Sequence, residues 1–202
     1  PLMPSSKNPR TGIYANVAQR KSAGATYTPQ VLADFVADEM IAFAGHVLRK
    51  KVITVFDPAV GNGQLLDSLL RRVPRKADRS ISVHGHDTNV DALDNATSLL
   101  SEKHPDVSVH LEHGDFLSSV LDSRASYDLI IANPPFVRTQ ILGADRARDI
   151  AGEFGLEGRV DLYHAFVVGL SKVLHRQGVA GLIVSNRFLT TRSGHAVRRA
   201  IS

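Results

Sequence analysis

The chain has 202 residues, 43% of them hydrophobic, so it can bury one sizeable core and is expected to form one domain. It has no cysteine, which excludes disulfides and thiolate metal sites, and its formal net charge of +4 is compatible with a polyanionic partner without requiring one. No apolar run approaches the roughly 20 residues that cross a bilayer, and the opening PLMPSSKNPR lacks the apolar core of a signal peptide. We therefore expect a soluble, cytoplasmic protein with no membrane partner.

Residues 1–27 are rich in proline, serine, asparagine and basic side chains and show little periodicity, which predicts a loosely held N-terminal arm. The domain itself is expected to span residues 28–202. Its first helix begins near Thr28, because Thr-Pro provides an N-cap followed by proline at the first helical position. The apolar side chains that follow recur at helical spacing: Val31, Leu32, Phe35, Val36 and Met40.

Short β-branched runs then alternate with helical patterns. The predicted strands are 52–56, 81–87, 107–113, 127–132 and 179–185, and the predicted helices are 64–73, 89–103 and 161–175. Strands separated by helix-length crossovers predict an α/β fold of three layers, a Rossmann-like and mostly parallel sheet with helices on both faces. Such sheets bind ligands beyond the carboxyl ends of their strands.

Two segments do not fit the alternating pattern. Residues 138–160 carry mixed charges, four glycines and no strong period, and they predict a mobile functional loop or lid. Residues 193–202, SGHAVRRAIS, read as the beginning of a further helix.

The first predicted strand runs into FDPAVGNGQLL, residues 56–66. Gly61 and Gly63 let the backbone approach a ligand closely, and the helix that follows directs free amides toward it. A tight turn without a ligand explains two such glycines about equally well. Leu66 stands where a dinucleotide-binding loop has its third glycine, and no lysine follows as in a P-loop, so NAD and nucleoside triphosphates are disfavoured.

Acidic residues follow three consecutive strands: Asp57, Asp87 and Asp115. A carboxylate at the end of the second strand can accept both ribose hydroxyls, and Asp115 could accept from an adenine amine while Phe116 lies against the ring. Taken singly, either of the last two aspartates is better explained as a helix cap. Together, the three aspartates favour a ligand that is a nucleoside with a cationic side group.

The fourth strand ends in IIANPPF, where two prolines follow an asparagine. Proline lacks an N–H but keeps its carbonyl, so Asn133 and Pro134 can present two rigid oxygen acceptors, and Pro135 stiffens the turn further. Two acceptors suit the two protons of a planar amine such as adenine N6, and they would localise its lone pair for attack on an electrophilic methyl group. Phe136 would stack on the ring. The competing explanation is a rigid turn without catalytic function.

Seven segments in this order resemble the S-adenosylmethionine-dependent adenine-N6 DNA methyltransferases, in the gamma arrangement of restriction-modification systems. The resemblance covers residues 21–186 and implies a class I methyltransferase fold. The segments are GATYTPQVLADFV, VFDPAVGNGQLL, GHDTN, HGDFL, IIANPPF, DLYHAFVVGLSKVL and GVAGLIVSNRFL.

The resemblance implies S-adenosylmethionine as the cofactor. It assigns Asp87 to the ribose, Asp115 and Phe116 to the cofactor adenine, and Phe166 to the wall of the same pocket. The methionine end of the cofactor would be held by Tyr27, Thr28, Pro29, Asp57, Pro58, Ala59, Gly61 and Gly63.

The resemblance also assigns the target base to Asn133, Pro134, Pro135 and Phe136. The partner would be double-stranded DNA, with the base rotated out of the duplex. Gamma members carry a later strand hairpin and a target-recognition domain, so we expect this chain to be incomplete at its C-terminus and to need a recognition domain or subunit.

Alternatives remain open from the sequence. Asn-Pro-Pro followed by an aromatic residue also serves methyltransferases of RNA or of protein glutamine, and a fragment could bind cofactor without turnover. His84 and His86 share a strand face, but with no clear third ligand we predict no metal. Basic residues near both ends suit phosphates or a solvated surface equally well: Arg10, Arg20, Lys21, Arg187, Arg192, Arg198 and Arg199.

Overall fold

The structure is a computed structural model, and it describes residues 28–135, 144–157, 161–190 and 194–200. Strands and helices alternate along these residues, as the sequence predicts. The strands are β1 (Val52–Asp57), β2 (Ser80–Asp87), β3 (Ser108–His113), β4 (Tyr127–Ala132) and β5 (Leu174–Leu182). The helices are α1 (Gln30–Phe43), α2 (Gln64–Leu70), α3 (Val90–Lys103), α4 (Phe116–Ser119), α5 (Ala144–Phe154), α6 (Leu162–Val173) and α7 (His195–Ala200).

The strands form one sheet in the order β3-β2-β1-β4-β5, and each neighbouring pair is parallel. The order changes direction between β1 and β4, since β2 and β3 lie on one side of β1 while β4 and β5 lie on the other. In an open parallel sheet such a switch point leaves a crevice at the carboxyl ends of the strands. The predicted fold class is therefore confirmed.

Helices cover the sheet on two faces. On the first face α1, α2 and α3 bury an aliphatic layer that includes Ile53, Val55 and Leu129. On the second face α4, α5 and α6 pack over Phe56 and Ile130. Successive side chains of a strand point to opposite faces, so neighbouring residues of β1 serve different layers.

The predicted loop 138–160 is partly wrong, because α5 occupies Ala144–Phe154 within it. Ile150 and Phe154 lie one helical turn apart and are both buried on the second layer, which supplies the packing that stabilises this helix. Mixed charges on its exposed side hid the weak apolar period. Residues 138–143 and 158–160 lie outside the described part.

The boundary between α6 and β5 also differs from the prediction of a helix to 175 and a strand from 179. The strand begins at Leu174, and its pairing with β4 shifts register between Tyr127, opposite Leu174, and Leu129, opposite Val179. An advance of two residues along β4 thus corresponds to an advance of five along β5, so residues 175–178 form a bulge in β5. Among the described helices, none is long and apolar enough to cross a membrane.

Candidate functional site

The predicted site residues gather where parallel strands end. Asp57 and Asp87 are the last residues of β1 and β2, and Asn133 follows the last residue of β4. Because all strands run in one direction, these ends share an edge of the sheet. The first turn of α6 begins at the same edge, since a crossover helix returns antiparallel to its strands.

The glycine loop between β1 and α2 has the conformation that its sequence suggests. Gly61 and Gly63 have φ of 54° and 79°, in the left-handed region that favours glycine. A Cβ on Gly61 would meet no atom within 4 Å, so its side of the loop is open, whereas one on Gly63 would lie 3.1 Å from Ala96 Cβ. Gly61 therefore leaves room for a ligand, and Gly63 lets α3 pack closely.

Gly85 of β2 lets this loop lie close to the sheet, and this role was not predicted from the sequence. A Cβ there would lie 2.4 Å from Val60 Cγ2 and 2.9 Å from the Asp57 carbonyl oxygen. The Val60 amide also donates to the His86 carbonyl at 3.0 Å. A glycine inside a strand signals such close backbone approach, so the His-Gly-His pattern could have revealed it.

Asp57 is fully buried, and its two carboxylate oxygens have different surroundings. Oδ1 accepts a hydrogen bond from the Ala59 amide at 2.9 Å, while Oδ2 is buried with no hydrogen-bond partner among the residues that the structure describes. Burial, opposed by the Ala59 amide and reinforced by the charge of Asp87, raises the pKa of Asp57 to about 8. A cationic ligand beside this carboxyl would reverse the shift by favouring its charged form.

Asp87 connects the ends of β1 and β2. Its Oδ2 accepts from the Gly61 amide at 2.7 Å and its Oδ1 accepts from the Asn89 amide at 2.9 Å. The side chain is half-buried, and each carboxylate oxygen has a further lone pair for a hydroxyl group. The predicted ribose acceptor thus also fixes the glycine loop.

Asp115 is the N-cap of the single turn α4. Its Oδ1 accepts from the Leu117 amide at 3.0 Å and its Oδ2 from the Ser118 hydroxyl at 3.1 Å. Burial raises its pKa, although these hydrogen bonds act in the opposite direction. The capping role that we considered is present, and the adenine contact stays a prediction.

Phe116 and Phe166 lie in the second core layer, 2% and 1% exposed, with ring centroids 5.4 Å apart. Phe116 also lies 5.6 Å from Phe56. Phe116 follows Asp115 in the chain and Phe166 packs against Phe116, and their contact with a cofactor stays a prediction.

Asn133 is half-buried, and among the described residues its amide has one partner. Nδ2 donates to the Thr28 hydroxyl oxygen at 3.0 Å, and Oδ1 is buried with no partner in the same part of the chain. Pro134 is buried and Pro135 half-buried, so the turn is held by packing. Of the other predicted residues around this amide, Pro29 is exposed directly before α1, while Tyr27 and Phe136 lie outside the described residues.

His164 is a further buried polar residue at this edge, and the sequence analysis missed it inside DLYHAF. Its Nδ1 accepts from the Asp161 amide at 3.1 Å, so Nε2 carries the proton, and that atom is buried with no partner in the described ranges. Burial lowers its pKa, with Asp161 acting in the opposite direction.

The predicted histidine pair lies on the second sheet face, on strand β2 beside β1. His84 stacks on His110 with ring centroids 5.1 Å apart, and His86 meets the Phe56 ring edge-on at 5.7 Å. Stacked rings do not converge on one point. Within the described ranges no group of three or more histidine or acidic side chains is placed to hold a metal ion.

Comparisons with known proteins give a consistent family. The model of the Eco57I restriction-modification methylase family matches residues 64–202. The type II methyltransferase M.BanIII of Aneurinibacillus aneurinilyticus is 38% identical over 94% of this chain and 35% of its own length. M.VspI of a Vibrio species is 24% identical over 90% of this chain and 41% of its own length. This chain thus spans little more than a third of these relatives.

Solved structures agree on the fold. A type I restriction-modification methyltransferase subunit from Streptococcus thermophilus superposes with a TM-score of 0.67 at 19% identity, over 93% of this chain and 42% of that one. A Listeria monocytogenes protein described as a class I S-adenosylmethionine-dependent methyltransferase gives the same TM-score and identity, over 92% of this chain and 56% of that one. The chain therefore has the class I methyltransferase fold that the sequence predicted.

Proposed function

Because the chain belongs to the Eco57I restriction-modification methylase family, we propose that it transfers a methyl group from S-adenosylmethionine to N6 of adenine in double-stranded DNA. The observation that carries this proposal is the Asn133 amide. Its nitrogen is held by Thr28 and its oxygen is buried without a partner at the end of β4. An unpaired buried acceptor costs about 1–3 kcal/mol, which a donor on a bound substrate would recover.

The chemistry needs an acceptor at this place. S-adenosylmethionine supplies an electrophilic methyl group on its sulfonium. Asn133 Oδ1 and the Pro134 carbonyl would accept the two protons of the adenine amine, which draws the nitrogen lone pair out of conjugation with the ring. Held by these two acceptors, the amine nitrogen would bond to the methyl carbon as the S–C bond breaks and S-adenosylhomocysteine leaves, and the methylated nitrogen would then lose one proton to solvent.

The same edge of the sheet suits the cofactor. Gly61 leaves open space on its side of the loop, and Asp57 Oδ2 offers a buried acidic oxygen to a cationic group. Asp87 would accept the ribose hydroxyls, and Asp115, Phe116 and Phe166 would surround the adenine ring. These assignments are proposals for the residues that would bind, orient and desolvate the cofactor.

The substrate has to reach this edge as an extruded base, because N6 of a paired adenine is stacked inside the duplex. Phe136 would stack on that base. We assign sequence recognition to parts of the full-length protein outside the described residues, or to a partner subunit. Arg187 is an exposed basic residue after β5 and is a candidate phosphate contact.

The test compares Asn133→Ala with Asp87→Ala in the full-length protein. Asn133→Ala should lower single-turnover methyl transfer by about 100-fold or more while cofactor affinity changes little, because the acceptor acts mainly in the transition state. Asp87→Ala should instead weaken cofactor binding, with a smaller effect at saturating cofactor.

The measurements are calorimetry with S-adenosylmethionine and mass spectrometry of DNA, RNA and protein after incubation with labelled cofactor. Label on adenine N6 of DNA that Asn133→Ala abolishes would support the proposal. Label confined to RNA or to protein glutamine, or an unchanged rate in Asn133→Ala, would contradict it.

A further inference from the structure

The orientation of the Asn133 amide decides whether it can act as an acceptor. An asparagine amide can turn by 180° and present either its oxygen or its NH₂ group to a ligand. In the structure Nδ2 points to the Thr28 hydroxyl oxygen, 3.0 Å away, and no described residue is a partner of Oδ1. Turned the other way, the amide would offer protons to an amine that itself needs to donate.

A hydroxyl group alone does not fix this orientation. The Thr28 oxygen can accept from Nδ2, but its own proton could equally be donated to Oδ1 of a turned amide. If the Thr28 hydroxyl donates its proton to another group, it can only accept from Asn133, and only the orientation with Nδ2 toward Thr28 keeps a hydrogen bond. A carboxylate, which has no proton to donate, is a group that would take the hydroxyl proton in this way.

Thr28 is also held in place by the scaffold around the glycine loop. It lies two residues before α1, and Gln30 in the first turn of α1 donates to the Ser68 hydroxyl of α2 at 3.1 Å. Arg72, two residues after the end of α2, donates two hydrogen bonds to Asp38 of α1, at 2.5 and 2.9 Å. Since α2 follows the glycine loop directly, the position of Thr28 is fixed relative to that loop.

We propose that Thr28 is a positioning residue that turns the Asn133 amide oxygen toward the substrate, and that the cofactor carboxylate fixes this state by taking the Thr28 hydroxyl proton. The inference rests on the proposed function. The carboxylate is the one anionic group of S-adenosylmethionine, and it belongs to the methionine end that the glycine loop would hold. Cofactor binding would thereby prepare the acceptor before the base arrives.

The test is a double-mutant cycle in the full-length protein, with single-turnover methyl transfer at saturating S-adenosylmethionine. Thr28→Val keeps the shape of the side chain but removes the hydroxyl, and it should lower the rate by about 10-fold. Thr28→Ser should restore the rate to within about 3-fold, because it returns the hydroxyl. Thr97→Val, an exposed position on α3, is the matched control and should leave the rate unchanged.

The decisive comparison is Thr28→Val made in an Asn133→Ala background. If Thr28 acts through the amide, the double variant should be no slower than Asn133→Ala alone. If the double variant loses rate by the product of the two single losses, or if Thr28→Val has an unchanged rate, this inference is overturned and the proposed function stays intact. An unchanged rate in Asn133→Ala would overturn both. Calorimetry should show weaker binding of S-adenosylmethionine to Thr28→Val than to Thr28→Ser, and equal affinities would overturn the role of the carboxylate. Urea unfolding of each variant separates these effects from loss of folding.

Discussion

Replacing Asp57 by asparagine should reveal how much stability the unliganded protein loses at its candidate cofactor site. The carboxyl group is fully buried, and Oδ2 has no hydrogen-bond partner. Asparagine has nearly the same shape, keeps an oxygen for the Ala59 amide and carries no ionisable group. Any pH-dependent difference between the two proteins therefore reports on the Asp57 proton.

The magnitude follows from the pKa of Asp57, which burial raises from 3.8 to about 8. Between these values the native state keeps a proton that the unfolded state has released, so stability falls as pH rises. Each pH unit in that window removes about 1.4 kcal/mol from the free energy of unfolding. The proton's stabilising contribution is complete below the ordinary pKa and is lost as pH rises through about 8.

Urea unfolding of the unliganded protein and of Asp57→Asn, over a pH series, measures this difference. From about pH 5 to pH 7 the wild-type protein should lose roughly 3 kcal/mol relative to the variant, and the difference should level off above about pH 8. A difference that stays constant over this range would refute the account of a buried, protonated carboxyl group.

Asp67→Asn is the matched control, because Asp67 is a buried aspartate that has partners. Its carboxylate lies 3.0 Å from His104 Nε2, 3.3 Å from Arg71 Nε and 3.4 Å from Lys103 Nζ. Removing its charge deprives His104 and Lys103 of this anion, while Arg71 keeps Asp34 at 2.8 Å, so this variant should be destabilised by roughly 3 kcal/mol at neutral pH. At about pH 8, Asp57→Asn should raise the free energy of unfolding relative to the wild-type protein, whereas Asp67→Asn should lower it. These opposite changes would distinguish a ligand-binding carboxyl from a structural one.

Substitutions at Gly85 and Gly61, with Gly114 as a control, test how the glycine loop packs on the sheet and how it would bind the cofactor. Gly85→Ala should destabilise the protein by about 1–3 kcal/mol in urea unfolding, because its Cβ would meet Val60, whereas Gly114→Ala, with open space around it, should cost far less. Gly61→Ala should cost about 1–2 kcal/mol through its positive φ, yet calorimetry should show a larger loss of S-adenosylmethionine affinity, because the added methyl enters the open side of the loop. Equal stability losses at Gly85 and Gly114, or full affinity in Gly61→Ala, would contradict these readings.

The sequence was sufficient to predict the parallel sheet because its strands carry β-branched runs buried on both sides. Ile53, Val55 and Phe56 are all buried, although they serve opposite layers. It was not sufficient for α5, whose apolar side is narrow and depends on packing against the second layer. Nor could it predict the bulge at 175–178, because register depends on pairing with a distant strand.

The site could be predicted by position but not by its contacts. The ends of the strands placed Asp57, Asp87 and Asn133 on one edge, and the structure agrees. The hydrogen bond from Asn133 to Thr28 joins residues 105 positions apart, and no local pattern contains it. Gly85 differs, because a glycine inside a strand pattern signals a close backbone approach, but the sequence does not show that the partner is Val60 in the loop after β1.

The atoms that lack partners connect stability with function at this edge. Asp57 Oδ2, Asn133 Oδ1 and His164 Nε2 are all buried with no hydrogen bond to the described part of the chain, at the ends of β1 and β4 and in the first turn of α6. Each costs about 1–3 kcal/mol in the unliganded protein, and a fold shaped by stability alone would replace them. A ligand that satisfies them binds the native state only, so it must raise the free energy of unfolding with its concentration. The cost of these atoms without ligand is thus a source of the affinity that the proposed cofactor and base would gain on binding.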